Sequence, residues 1–161
     1  MKILAIAEQR AGKLKSGAFE ALTVASKINS STSEVAAVLV GSGVSGLTSE
    51  LEGYGADKVY VADSSDFENY NCIAYAAAVE AAIKAFSPDL VIGSASPMGK
   101  DLMPRLAARL DAGLLTGLVE ISADGTNVSG VKPMYAGKVL ANVAMNAPGL
   151  KMAAIRLNVI Q

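Results

Sequence analysis

The segment from Gly93 to Lys100 has the composition of a loop that binds small anions. It follows the apolar run Leu90–Ile92 and precedes a helical pattern of leucines, which predicts the order strand, loop, helix. Asp101 is expected to cap the first helical turn through the amide of Met103, leaving the amides of the loop free. Free amides at the start of a helix attract negative charge. The loop is therefore a candidate ligand site.

The same segment departs from the phosphate loop of nucleoside triphosphatases. Five residues separate Gly93 from Gly99 where that loop has four, and Asp101 stands where it has a magnesium-binding Ser or Thr. A carboxylate at that position would repel phosphate. The spacing disfavours a nucleoside triphosphate and leaves a weaker anion or adenine site as the interpretation.

A second glycine-rich segment, Gly41–Gly46, matches the pattern G-x-G-x-x-G, and Asp63 lies about where a ribose-binding acid would be sought. In dinucleotide-binding proteins this pattern belongs to the first strand-helix turn, whereas here one complete strand-helix unit precedes it. We therefore predict a tight turn whose glycines supply positive φ angles, and no dinucleotide site.

Composition excludes several classes of function. The absence of histidine removes the Ser-His-Asp triad and most zinc sites, and the single Cys72 excludes an internal disulfide. A net charge of −1 and a pI near 5.4 do not indicate the excess of positive charge that is typical of nucleic-acid-binding proteins. No apolar run approaches about 20 residues, and the chain opens on a strand rather than a signal peptide. A soluble, cytoplasmic protein that contacts no membrane is expected.

The order of elements predicts an α/β fold. Short apolar strands alternate with helices in the first part of the chain, and consecutive strands follow the helix that ends near Leu110. The alternating strands are predicted at Lys2–Glu8, Glu34–Val40, Lys58–Ala62 and Leu90–Gly93, and the consecutive ones at Leu118–Ser122, Asn127–Val131, Lys138–Met145 and Lys151–Ile155. We expect one domain, residues 1–161, with a three-layer, mostly parallel sheet and an added antiparallel C-terminal meander.

Two motifs resemble the N-terminal domain of the electron transfer flavoprotein alpha subunit. Residues 99–110, GKDLMPRLAARL, are similar to that family's G(R/K)DL-PR-AARL signature, and residues 132–138, KPMYAGK, to its RP-YGGK element. The resemblance implies an adenine-nucleotide-hydrolase-like, Rossmann-like sheet with strand order third, second, first, fourth, fifth. In the family a flavin-binding domain follows, which we expect to lie outside this sequence, so the chain is either a fragment of an alpha subunit or a stand-alone relative. Leu157 and Asn158 also replace the family's usual Pro-Gly.

The resemblance implies a scaffold and docking module for flavin-mediated electron transfer from dehydrogenases, and not an enzyme. The expected partner is an electron transfer flavoprotein beta-subunit-like protein. Apolar surface left on the meander where partners would dock favours a homodimer when the chain is alone. The family's FAD is not expected to bind to this chain by itself. The lack of histidine and of any nucleophile-base pair agrees with chemistry that belongs to a cofactor.

The alternative is a stand-alone protein that binds AMP or ATP. With the family's strand order, the first and fourth strands are neighbours where the winding reverses, and ligands of such sheets bind there. The residues expected to converge at this crevice are Glu8, Gln9, Ser94, Ser96, Gly99 and Lys100. Glu8 is a poor neighbour for a phosphate, so ordinary polarity at the strand ends is the competing interpretation.

Overall fold

The computed structural model describes residues 1–28, 34–146 and 148–159. The helices are α1 (Ser16–Ile28), α2 (Thr48–Gly53), α3 (Cys72–Phe86) and α4 (Pro97–Arg109). The strands are β1 (Lys2–Ala7), β2 (Gln9–Arg10), β3 (Lys13–Leu14), β4 (Glu34–Gly41), β5 (Lys58–Asp63), β6 (Leu90–Ser94), β7 (Gly113–Leu118), β8 (Glu120–Asp124), β9 (Asn127–Met134), β10 (Val139–Met145) and β11 (Lys151–Ile155). Single 3-10 turns cover Ser45–Leu47, Ser65–Phe67 and Tyr135–Gly137.

A six-stranded parallel sheet forms the centre, in the order β5-β4-β1-β6-β11-β7. The first four positions confirm the order third, second, first, fourth. Beside β6, however, lies β11, the last strand of the chain, and β7 forms the edge. Assigning Lys151–Ile155 to the antiparallel meander was therefore wrong. All five of its residues are buried, as is typical of a central parallel strand.

The antiparallel meander is confirmed by a separate three-stranded sheet in the order β10-β9-β8. It lies in the chain between β7 and β11. Strand β7 was not predicted from the sequence, and the strand predicted at Leu118–Ser122 spans the end of β7 and the start of β8. Glycines stand at both Gly113 and Gly117 of this strand, and glycine lowers the strand signal.

Two layers of side chains cover the faces of the parallel sheet, which confirms the three-layer arrangement. On β1, Ile3 and Ala5 pack with α1, whereas Leu4 and Ile6 pack with α3 and α4. This division follows from the period of two along a strand. The small alanines of α1 permit its close approach to the sheet. Among the described residues only Ser94, Ser96 and Lys151 are buried polar or charged side chains, so hydrophobic burial is the main contribution to the stability of the fold.

Helix α4 begins four residues before the predicted cap. Ser96 is the N-cap, its hydroxyl accepts from the amide of Gly99 at 2.9 Å, and Pro97 occupies the first turn. Asp101 lies within the helix and instead accepts a hydrogen bond from the Tyr70 hydroxyl at 2.9 Å. The expectation that Asp101 caps a loop with free amides was thus wrong, because the loop is already the first turn of the helix.

Candidate functional site

The carboxyl ends of β1 and β6 meet where the winding of the sheet reverses, and a small polar cluster closes this point. Oε2 of Glu8 accepts hydrogen bonds from the hydroxyls of Ser94, at 2.9 Å, and Ser96, at 2.6 Å. Both serines are 4% exposed. A charged acceptor between two buried hydroxyls is a strong arrangement. These three side chains therefore bind one another across the crevice.

The backbone amides at this point are also occupied. The Gly99 amide donates to Ser96 Oγ at 2.9 Å, and the Lys100 amide donates to the Ser96 carbonyl at 2.8 Å. A Cβ on Gly99 would overlap the carbonyl oxygen of Ser94, so the helix lies directly against the strand end. The space left beside Glu8 and Ser94 is about 10 Å³, close to the room for one water.

Gln9 and Lys100 do not join this cluster. The side-chain amide of Gln9 donates to the Val40 carbonyl at 2.9 Å and lies 3.5 Å from the Tyr75 hydroxyl, so it ties β4 to α3. The side chain of Lys100 is exposed and lines a different cavity. Of the six predicted crevice residues, the structure thus brings together Glu8, Ser94, Ser96 and Gly99.

A crevice of about 590 Å³ opens beside Glu8, between the β2–β3 hairpin and the starts of α3 and α4. Its walls carry charges of both signs, including Glu8, Lys15 and Asp101. The hydrogen bond from Tyr70 is the largest cause that lowers the pKa of Asp101, and burial raises the pKa of Tyr70 and of Tyr75. Tyr70 and Asp101 thus satisfy each other's hydrogen bonding at the wall of this crevice.

The Gly41–Gly46 turn is filled by a side chain of the protein itself. The Asp63 carboxylate accepts from the amides of Gly43, at 2.7 Å, and of Val44 and Ser45, both at 2.9 Å, and from the Ser45 hydroxyl at 2.6 Å. These bonds, the Ser45 hydroxyl first, lower the pKa of Asp63. The carboxylate occupies the amides that a pyrophosphate would need. Gly43 has a φ of +65°, as the predicted turn requires, whereas Gly41 and Gly46 have no positive φ, so that part of the prediction was wrong for them.

The tip of the β9–β10 hairpin exposes a group of apolar side chains. Met134, Tyr135, Val139 and Leu140 are 41%, 75%, 49% and 65% exposed. Neighbouring residues of a strand point to opposite faces, so exposure of both Val139 and Leu140 shows that neither face of the tip is covered. Tyr135 and Ala136 have φ angles of +50° and +56°, which residues other than glycine rarely adopt. We call these four apolar residues the hairpin tip.

Metal-ligand clusters and membrane-spanning helices are both absent from the part of the chain that the structure describes. No group of three His, Cys, Asp or Glu side chains there is placed to hold a metal ion. Within the same residues, no helix has the length and apolar character needed to span a bilayer.

Comparisons with known proteins agree with the motifs. A family model described as "Electron transfer flavoprotein domain" matches residues 3–161. "Electron transfer flavoprotein subunit alpha" of Bacillus subtilis is 38% identical over 99% of this chain and 49% of its own length, and the protein of that name from Syntrophomonas wolfei is 40% identical over 84% and 42%. "Acryloyl-CoA reductase electron transfer subunit beta" of Anaerotignum propionicum is 36% identical over 73% and 32%. The chain spans about half the length of the alpha subunits that it matches.

Proposed function

This chain belongs to the electron transfer flavoprotein family, and we propose that it acts as an alpha-subunit-like scaffold and docking domain. In this role it helps to assemble a protein whose flavin carries electrons from dehydrogenases. Its partner is an electron transfer flavoprotein beta-subunit-like protein. The flavin is held by surfaces outside this chain, and the chain itself performs no catalytic step.

The observation that carries the proposal is the exposed hairpin tip. Apolar side chains that cluster on a surface with neither strand face covered are typical of sites where another protein binds. Large side chains such as tyrosine, methionine and leucine supply contact area at the centres of such interfaces. The left-handed backbone at Tyr135 and Ala136 costs on the order of 1 kcal/mol per residue, and strain of this kind tends to persist where function requires it.

The closed switch point supports the same role. A ligand entering between β1 and β6 would have to replace the bonds of Glu8 with Ser94 and Ser96, and it would leave a carboxylate without its donors. Such polar groups stabilise the sheet rather than receive a cofactor. The space of about 10 Å³ inside this cluster admits nothing larger than a water molecule, and the crevice of about 590 Å³ lies outside the cluster.

The test is titration of the purified chain with a beta-subunit-like protein from the same organism, followed by sedimentation velocity. We expect a one-to-one complex. Leu140→Ser should weaken it at least tenfold, because truncating a central apolar contact costs more than about 1.4 kcal/mol. Ile73→Ser is the matched control, since Ile73 on α3 is 64% exposed and lies outside the hairpin tip.

Flavin absorbance of the same samples tests the placement of the cofactor. The chain should remain colourless after incubation with FAD and gel filtration. A yellow chain with stoichiometric flavin would contradict the scaffold role. The absence of a complex, or an equal effect of Leu140→Ser and Ile73→Ser, would refute docking through the hairpin tip.

A further inference from the structure

A basic cavity of about 530 Å³ lies at the carboxyl ends of β6, β11 and β7. Three cations line it: Lys100 from α4, Lys132 from β9, and Arg156, which directly follows β11. The volume falls within the range of small-molecule sites. Its location also fits, because ligands of parallel sheets bind beyond the carboxyl ends of the strands. This cavity is separate from the closed point between β1 and β6.

The charges of this cavity are not compensated in the described part of the chain. The other lining residues are alanine, glycine, methionine, proline and threonine, with no carboxylate among them. No salt bridge involving Lys100, Lys132 or Arg156 occurs within residues 1–28, 34–146 and 148–159. The Lys132 ammonium donates to Thr116 Oγ1 at 3.0 Å, which holds it at the wall. Three cations around a partly enclosed space create a local positive potential, and the chain as a whole is slightly acidic.

The wall of the cavity contains an irregularity of the sheet. Ala154 pairs with Thr116, but the next residue, Ile155, pairs with Leu118, so that Gly117 is left out of the ladder. Gly117 has a φ of +70°, and a Cβ built on it meets no atom within 4 Å. A bulge of this kind often lies beside a functional site, where it redirects backbone and side chains. Here it leaves open space next to Thr116.

We propose that this cavity binds a phosphate group of a small ligand, either inorganic pyrophosphate or the phosphates of a nucleotide. A guanidinium such as that of Arg156 donates two parallel hydrogen bonds to phosphate oxygens, and lysine ammoniums add charge around them. Thr116 supplies a hydroxyl at the same wall. The cavity has room for more than one phosphate. This binding is independent of docking through the hairpin tip.

The experiment is calorimetric titration of the full chain with sodium pyrophosphate at low ionic strength. The sharpest variant pair is Gly117→Asp and Gly117→Asn. Both residues tolerate the left-handed backbone better than most, and both enter open space, so that their difference isolates one negative charge. Lys132→Gln removes a cation from the wall. Lys58→Gln removes one from β5, the opposite edge strand of the sheet.

We expect one saturable binding step that weakens as salt is added. Gly117→Asp should bind at least tenfold more weakly than Gly117→Asn, and Lys132→Gln about tenfold more weakly than Lys58→Gln. Titrations with AMP and inorganic phosphate then identify the source: tighter AMP binding indicates a nucleotide, and equal binding a free phosphate. The absence of saturation up to about 1 mM pyrophosphate would overturn the proposal, as would equal effects within both variant pairs.

Discussion

Replacing Gly99 with alanine tests whether the junction of β6 and α4 is a packing device rather than a ligand loop. The new Cβ would overlap the carbonyl oxygen of Ser94. This oxygen is a backbone atom, so no change of side-chain rotamer can relieve the overlap. The first turn of α4 must therefore move away from the strand end. That movement lengthens the bond from the residue 99 amide to Ser96 and disturbs the bonds between Glu8 and the two serines.

The magnitude follows from two costs. Overpacking in a buried site destabilises by about 1–3 kcal/mol, and loss of an N-cap adds about 1 kcal/mol, so we expect the free energy of unfolding to fall by about 3 kcal/mol. The unfolding entropy of 161 residues, at about 2.1 cal/mol/K each, is about 0.34 kcal/mol/K. The melting temperature should then fall by about 9 °C.

Differential scanning calorimetry measures this change directly. Gly53→Ala is the matched control, because Gly53 ends α2, has no atom within 4 Å of a built Cβ, and does not have a positive φ. Its melting temperature should stay the same or rise by up to about 3 °C, as alanine favours the helix by up to about 1 kcal/mol. A Gly99→Ala protein that melts within about 2 °C of the unmodified chain would refute the packing argument.

Two further predictions concern pH. The folded pKa of Asp63 lies below the model-peptide value of 3.8, so its bonds stabilise the fold above pH 3.8 and are lost as pH falls through the folded pKa. In acid unfolding curves the stability advantage of the unmodified chain over Asp63→Asn should shrink below pH 3.8, and a constant difference would contradict this assignment. Burial, the largest cause, raises the pKa of Tyr70 and Tyr75 above 10.0, so stability should fall as pH rises beyond that value. Absorbance titration should show a late-ionising component that Tyr70→Phe reduces, and simultaneous ionisation of all tyrosines would exclude it.

The architecture could be predicted from the sequence wherever local pattern and tertiary context agree. The alternating strands and helices up to Leu110 have clear apolar periods. The position of β11 could not be predicted in this way. Its five buried residues suit any sheet interior, and its insertion between β6 and β7 depends on partners that are distant in sequence.

The candidate site was only partly predictable for a similar reason. The meeting of Glu8 with Ser94 and Ser96 follows from the order of parallel strands, which brings the carboxyl ends of β1 and β6 to one edge. The strand order alone does not determine whether those polar groups stay free for a ligand or bond to one another. The N-cap at Ser96 determines the outcome at this site. Because α4 begins at Pro97, its first turn uses the backbone amides that a loop would have left free. The sequence carries a signal for this start, a Ser-Pro pair, which is typical of an N-cap followed by proline.

The path of the chain after β7 explains why the candidate surfaces lie away from the sheet centre. The chain leaves the edge strand, forms the β8–β10 sheet and returns to β6 as β11, so Arg156 arrives beside α4 while Lys132 reaches the same cavity from β9. Met134 follows Lys132 by two residues on that strand, and thus the hairpin that lines the cavity also presents the hairpin tip. Docking at the hairpin tip and phosphate binding in the cavity can nevertheless be distinguished by experiment. Leu140→Ser changes no residue of the cavity wall, and Gly117→Asp changes none at the tip. If each variant impairs only its own binding event, the hairpin carries two independent functions. If either variant impairs both, the independence of the two binding events is refuted, and titration of the partner protein with and without pyrophosphate then measures any coupling between them.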